Sequence, residues 1–253
     1  MKNAKFLIFL SSPILFVLLE VFLFWPKFLL SVEVLALIWI FFVVRSLAHQ
    51  SSLGKKWFIH ALLPALLFAS LSFSASILIN PWVIQLIFIF LLVFLARYFQ
   101  VLHGFFVENN LKEIDRLHNF SLSGGLLIIF FSTLSIFSLQ VFLSWSNTTL
   151  FLLCLLSFAL VTYHNWQVCN LNIRENFSLY VVVNILLLQT VAVLFFWPFA
   201  YQVLAVFMAL IYYVLINCTR LYLGASLDNK KIQLYLIFTG AAFLLLLLTA
   251  RWF

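Results

Sequence analysis

Two acidic residues lie inside apolar stretches of the sequence, and they are the first candidates for chemistry. Glu20 precedes Trp25 by five residues, and Glu33 follows Pro26 by seven. At about 1.5 Å of rise per helical residue, both carboxyls fall roughly 8 to 10 Å from the turn at Pro26. Two carboxyls at one depth in a medium of low dielectric constant cannot both ionise without a cation. The pair predicts a proton or cation site; in the structural alternative, Lys27 pairs with one acid or the carboxyls reach water.

Arginine and histidine side chains near the opposite helix ends form the second candidate site. At about 1.5 Å per residue, four of them lie roughly 24 to 30 Å from the turn that begins their helix. At that level they can bind the phosphate head group of an anionic lipid or a lipid-linked substrate. The structural alternative is that cationic side chains simply reach the membrane interface from helix ends. The candidate head-group residues are Arg45, Arg97, His103, His164 and Arg220.

The histidines and cysteines do not follow a metal-binding spacing. Two ligands on one helical face need a separation of three or four residues, and the sequence contains neither HxxH nor HxxxH. The three cysteines are odd in number and contain no CxxC pair. The sequence therefore predicts no metal and no cofactor. One alternative stays open, a site assembled from residues distant in sequence, such as His103, Glu108, His118 and His164.

The composition indicates that lipid surrounds the elements that position these residues. Hydrophobic residues make up 66% of the chain, charged residues 8%, and the mean hydropathy is +1.19. Soluble domains carry about 25% charged residues. The net charge of +7 comes from basic residues at predicted helix ends, which argues against a nucleic-acid partner. We expect an all-α polytopic membrane protein with one domain, residues 1–253.

Runs of about 20 apolar residues, enough to span a hydrocarbon core, recur along the sequence. They are separated by short turns near residues 26, 81, 146 and 198, three of which carry proline beside tryptophan. The pattern predicts about nine transmembrane helices arranged as four hairpins and a C-terminal helix. Their expected bounds are 6–25, 28–47, 57–79, 82–106, 120–145, 149–168, 178–196, 199–223 and 232–252.

Two local patterns predict further structure between these helices. In the charged segment 107–119, Asn110 can cap a short helix and Glu113 occupies the capping-box position. With Leu111, Ile114 and Leu117 on one face, this segment is expected to be a separate surface helix on the bilayer. Further along, the glycine pair 124–125 can let another helix approach closely.

The distribution of basic residues predicts the orientation. Twelve of the 14 lysines and arginines fall at helix ends or in linkers on the side opposite the short turns. Because basic residues concentrate on the cytoplasmic side, we expect a cytoplasmic N-terminus and an external C-terminus. The expected location is a plasma (inner) membrane.

Three classes of function are compatible with this sequence. The favoured one is a non-catalytic membrane subunit or scaffold that packs against partner helices or lipid. The second is a small permease or lipid transporter, and the third is an intramembrane enzyme acting on a lipid or lipid-linked phosphate. The expected partners are membrane lipids and other membrane subunits or a second copy of the chain. A water-accessible cavity would favour transport, and a pocket joining Arg97, His103 and His164 would favour lipid chemistry.

Overall fold

The computed structural model describes residues 2–49, 57–78, 80–107, 111–169, 171, 173–197, 199–223 and 229–249. These ranges contain nine α-helices, one short 3₁₀ helix at Pro26–Phe28 and no β-strand, which confirms the all-α prediction. The α-helices are α1 Lys2–Phe24, α2 Leu29–Ala48, α3 Trp57–Ala75, α4 Pro81–Phe106, α5 Leu111–Leu143, α6 Asn147–Val168, α7 Phe177–Leu194, α8 Tyr201–Leu223 and α9 Asn229–Thr249.

Helices α1 to α8 each contain a segment long and apolar enough to cross a membrane, so the chain is a multi-pass membrane protein. In α9 the apolar stretch within the described residues is Ile232–Leu246, which is shorter. The ninth crossing therefore stays a prediction.

The short turns form where the sequence predicts them. Pro26 occupies the first position of the 3₁₀ helix and Pro81 the first position of α4, where the missing amide hydrogen costs nothing. The Asn80 side chain caps α4 by accepting a hydrogen bond from the Trp82 amide at 3.0 Å. The Ser146 hydroxyl caps α6 in the same way. Pro198, predicted to mark the last hairpin turn, lies outside the described residues.

The prediction of a separate surface helix before the fifth crossing is wrong. The structure has one continuous helix of 33 residues, α5, from Leu111 to Leu143. This range contains no proline, and its first turns are rich in residues that favour helix. Charge therefore does not interrupt the helix. Asn110, the expected cap, lies outside the described residues.

The first compact unit comprises residues 1–124. In it, α2 packs against α3, and α1 packs against both α4 and α2. Helix α3 is the most enclosed, because every residue from Ile59 to Ala65 is buried. Helix α2 buries one face and exposes the opposite one. The exposed face consists of Leu30, Val34, Leu35, Ile38 and Phe42, at helical spacing.

The second compact unit comprises residues 125–253. Helices α6, α7, α8 and α9 pack in chain order, each against the next. The remainder of α5 belongs to this unit, and its residues 131–138 are all buried. Phe137 packs edge-on against Phe195, which follows α7, with ring centroids 5.0 Å apart. The single membrane domain predicted from the sequence stays a prediction.

Candidate functional site

Glu33 lies on the buried face of α2, which turns its carboxyl toward α3. Its side chain is only 6% exposed, and its carboxyl oxygen Oε1 is hydrogen-bonded to the hydroxyl of Ser72 on α3. The second carboxyl oxygen, Oε2, is buried and has no hydrogen-bond partner among the described residues. Burial of this face of α2 therefore brings the Glu33 carboxyl into contact with α3.

The surroundings of Ser72 determine what this site can do chemically. Its hydroxyl has one hydrogen but three acceptors within reach: Glu33 Oε1, the Phe68 carbonyl at 2.8 Å and the Ala69 carbonyl at 3.0 Å. If the carboxyl carried a proton, it could donate to Ser72 Oγ, and the serine could then donate to Phe68. The arrangement can therefore accommodate a neutral carboxyl at Glu33.

Glu20 is half-buried on α1 and bonds to a different helix. Its Oε1 accepts a hydrogen bond of 2.8 Å from Gln85 Nε2 on α4. The two predicted site acids thus have separate partners, and no hydrogen bond joins them among the described residues. Lys27, the cation considered as an ion-pair partner for one of these acids, is exposed and lies over the ring of Phe28, 5.3 Å from its centroid.

Three of the five candidate head-group residues belong to the first unit. Arg45, at the end of α2, is exposed and lies over the Trp57 ring, 5.9 Å from its centroid. Arg97 is exposed on α4 and donates to Gln100 Oε1 at 3.3 Å. His103, one turn beyond Gln100, is buried. Arg97 and His103 therefore both lie within one turn of Gln100 on α4, whereas Arg45 lies on α2.

The other two candidates belong to the second unit. His164, near the end of α6, is 1% exposed. Arg220, near the end of α8, is half-buried, and its positive charge acts on the Cys169 thiol just beyond α6. Burial raises the pKa of Cys169, and the Arg220 guanidinium partly offsets this shift. The Arg220 guanidinium of α8 is therefore close enough to the end of α6 to interact electrostatically with Cys169.

A cavity of about 680 Å³ lies between α1 and α4, and we call it the α1–α4 groove. Sequence reasoning identified His103 but missed the other polar groups there, Ser12 and Gln100. The signal that could have found Gln100 is its position three residues after Arg97 and three before His103, on one helical face. The groove is lined by Ile8, Phe9, Ser12, Pro13, Ala96, Gln100 and His103.

The second unit has a more apolar cavity of about 470 Å³, bordered by α7, α8 and α9. Its polar lining residues are Gln189 and Thr190, and the Thr190 hydroxyl donates to the Leu186 carbonyl within α7 at 2.9 Å. Trp197, which follows α7, and Phe243 of α9 also line the cavity. This lining is typical of an interface between packed helices, where acyl chains can fill the remaining space.

Within the described part of the chain, no three histidine, cysteine, aspartate or glutamate side chains are grouped as metal ligands. Glu108, one member of the alternative metal site considered above, lies outside that part. No protein-family model, curated protein or solved structure matches the chain. The function is therefore inferred from the side chains alone.

Proposed function

We propose that the protein is a non-catalytic membrane subunit or scaffold. The observation that supports this role is the use of the two membrane acids in helix packing. Glu20 links α1 to α4 through Gln85, and Glu33 links α2 to α3 through Ser72. Interhelical hydrogen bonds in membranes contribute about 0.6 kcal/mol each on average. Each acid thereby links the hairpin formed by α1 and α2 to the hairpin formed by α3 and α4.

The outward faces of the helices provide the surface that a subunit needs. On α9, large apolar side chains point outward along most of the helix, including Leu234, Ile237, Leu244 and Leu248. On α2, the exposed apolar face lies opposite Glu33. Helices associate in lipid by close packing of such faces, so partner helices or lipid acyl chains can cover them.

The proposed orientation places the N-terminus in the cytoplasm and the C-terminus outside, in a plasma (inner) membrane. It is supported by the twelve lysines and arginines on the side opposite the short turns. In this orientation the beginning of α1 and the end of α4 face the cytoplasmic leaflet.

The test is isolation of the tagged protein in native-lipid particles, without detergent, followed by size-exclusion chromatography and mass measurement. A subunit should elute as a complex of fixed stoichiometry, with another membrane protein or with a second copy. The Glu20→Gln/Glu33→Gln double variant should retain this complex, because glutamine keeps hydrogen-bonding capacity at both positions. A particle that holds one copy of this chain and no other protein would contradict the proposal.

A small proton-coupled permease is the second candidate, and it is favoured by Glu33 Oε2, which is buried and has no hydrogen-bond partner in the described part of the chain. A buried carboxyl that can be neutral or charged is a common feature of proton pathways. If this function is correct, the same double variant should assemble normally yet abolish proton-coupled flux in proteoliposomes, measured with an internal pH-sensitive dye. Unchanged flux in the double variant would exclude the acid pair as the coupling site.

A further inference from the structure

One wall of the α1–α4 groove presents hydrogen-bond donors. Ala96, Gln100 and His103 line it from α4, at the three- and four-residue spacing that places them on one helical face. The exposed Arg97 guanidinium donates to the Gln100 oxygen at 3.3 Å. Because that oxygen accepts from Arg97, the amide hydrogens of Gln100 are its remaining hydrogen-bonding groups. An amide donor therefore lines the groove, and the Arg97 guanidinium, which is not itself a lining group, lies beside that amide.

The opposite wall, from α1, contains polar atoms that lack ordinary partners. Ser12 Oγ is buried, and it has no hydrogen-bond partner among the residues that the structure describes. Pro13 has no amide hydrogen, so the Phe9 carbonyl one turn earlier loses its usual helical donor. Leaving a buried polar group unsatisfied is unfavourable. This wall therefore favours a ligand that carries hydrogen-bonding atoms.

The position of the groove limits the class of ligand. At about 1.5 Å per residue, its α4 wall extends from roughly 5 Å to roughly 15 Å inside the end of the helix. That depth covers the boundary between lipid head groups and acyl chains. The volume of about 680 Å³ lies within the range of small-ligand sites. Ile8, Phe9 and Ala96 supply apolar surface beside the polar groups.

We propose that the α1–α4 groove binds an anionic glycerophospholipid. Its phosphate accepts hydrogen bonds from Arg97, Gln100 and Ser12, and its acyl chains extend along Phe9 and Ala96. The argument for a negative head group is charge complementarity, since the lining residues include no acid and the Arg97 guanidinium donates to Gln100 on the groove wall. This site is independent of whether the protein acts as a subunit or as a permease.

The experiment titrates the purified full-length protein in detergent micelles with phosphatidylglycerol and, separately, with phosphatidylcholine of the same acyl chains. Native mass spectrometry counts the bound lipids. The wild type should bind phosphatidylglycerol about tenfold more tightly, because both lipids present a phosphate but only phosphatidylcholine also brings a choline cation, which the Arg97 guanidinium repels. Arg97→Gln should reduce that affinity to the level of phosphatidylcholine.

Two further variants distinguish specific lipid binding in the groove from nonspecific attraction of anionic lipid to basic helix ends. Arg45→Gln removes another exposed arginine, which lies over the Trp57 ring rather than beside Gln100, and should leave the lipid preference unchanged. Ser12→Ala removes a buried hydroxyl that has no described partner, so the fold should keep its melting temperature while phosphatidylglycerol affinity falls a few-fold.

Three results would overturn the proposal. One is equal affinity of the wild type for the two lipids. Another is a loss of phosphatidylglycerol affinity in Arg45→Gln as large as that in Arg97→Gln, which would indicate general attraction of the lipid to basic surface residues. The last is wild-type phosphatidylglycerol affinity in both Arg97→Gln and Ser12→Ala.

Discussion

At the scale of single residues, the acids that the sequence singles out form hydrogen bonds between helices. Glu20 and Glu33 are conspicuous in the sequence because carboxyl groups are costly inside apolar helices. Their partners Gln85 and Ser72 are 65 and 39 residues away. Serine and glutamine are unremarkable in the sequence, and nothing local specifies which of them a carboxyl will meet. The acids could therefore be predicted from the sequence, whereas their bonds required the three-dimensional packing.

The bond between Glu33 and Ser72 gives a stability prediction. Ser72→Ala should destabilise the protein by about 1 to 3 kcal/mol, because it leaves a buried carboxyl oxygen without its partner. Glu33→Gln should cost much less, since a glutamine amide can donate to Ser72 Oγ as a neutral carboxyl would. The measurement is thermal unfolding in detergent, followed by the loss of monodisperse protein.

Ser70→Ala is the matched control for this prediction. Ser70 is also buried on α3, but its hydroxyl donates to the Leu67 carbonyl of its own helix at 3.1 Å. Its removal should change the melting temperature little. A Glu33→Gln variant as unstable as Ser72→Ala would show that Glu33 is held as a charged carboxylate.

At the scale of helices, the apolar runs and proline turns were sufficient to predict the elements, but not the end of α3, which falls at Ala75 instead of residue 79, or the length of α5. Its first turns contain Glu113, Asp115 and Arg116, which resemble a linker in composition. The favourable helix propensity of these residues and the Glu113–Arg116 ion pair, at 2.8 Å with a spacing of three, extend the helix instead. The charged residues here mark an exposed part of the helix, but they do not mark where the helix begins.

The predicted close approach at the glycine pair of α5 is confirmed in each unit by itself. A Cβ added at Gly124 would lie 2.9 Å from Leu63 Cδ1, in the first unit. In the second unit, a Cβ at Gly125 would lie 2.6 Å from Asn165 Nδ2 and 3.0 Å from Tyr212 Oη, two buried groups that are hydrogen-bonded to each other. Both glycines therefore permit contacts that any larger residue would displace.

Gly125→Ala should consequently destabilise the second unit, by about 1 to 3 kcal/mol as for other overpacked interiors. Gly240→Ala on α9 is the control, because a Cβ there meets nothing within 4 Å and alanine favours helix. Thermal unfolding of the two variants in the same detergent compares them directly. Equal melting temperatures would mean that Asn165 and Tyr212 move aside without cost.

At the scale of the whole molecule, the class of fold was predictable because the solvent selects it: helices satisfy their own backbone hydrogen bonds in hydrocarbon. The packing partners of each helix were not predictable in the same way. Lipid-facing and protein-facing positions are both apolar here, so leucine and phenylalanine do not report which side is buried. The α1–α4 groove was missed for this reason, although His103 on its wall was singled out.

The orientation of the chain is the proposal that decides which leaflet the α1–α4 groove faces and on which side the ninth helix ends. It can be tested by fusing a small tag before Met1 or after Phe253 and probing each with a membrane-impermeant reagent in intact and permeabilised cells. Nine crossings with a cytoplasmic N-terminus predict that the tag after Phe253 reacts in intact cells, whereas the tag before Met1 reacts only after permeabilisation. Reaction of both tags only after permeabilisation would contradict the account, because it would place the two ends of the chain on the same side of the membrane.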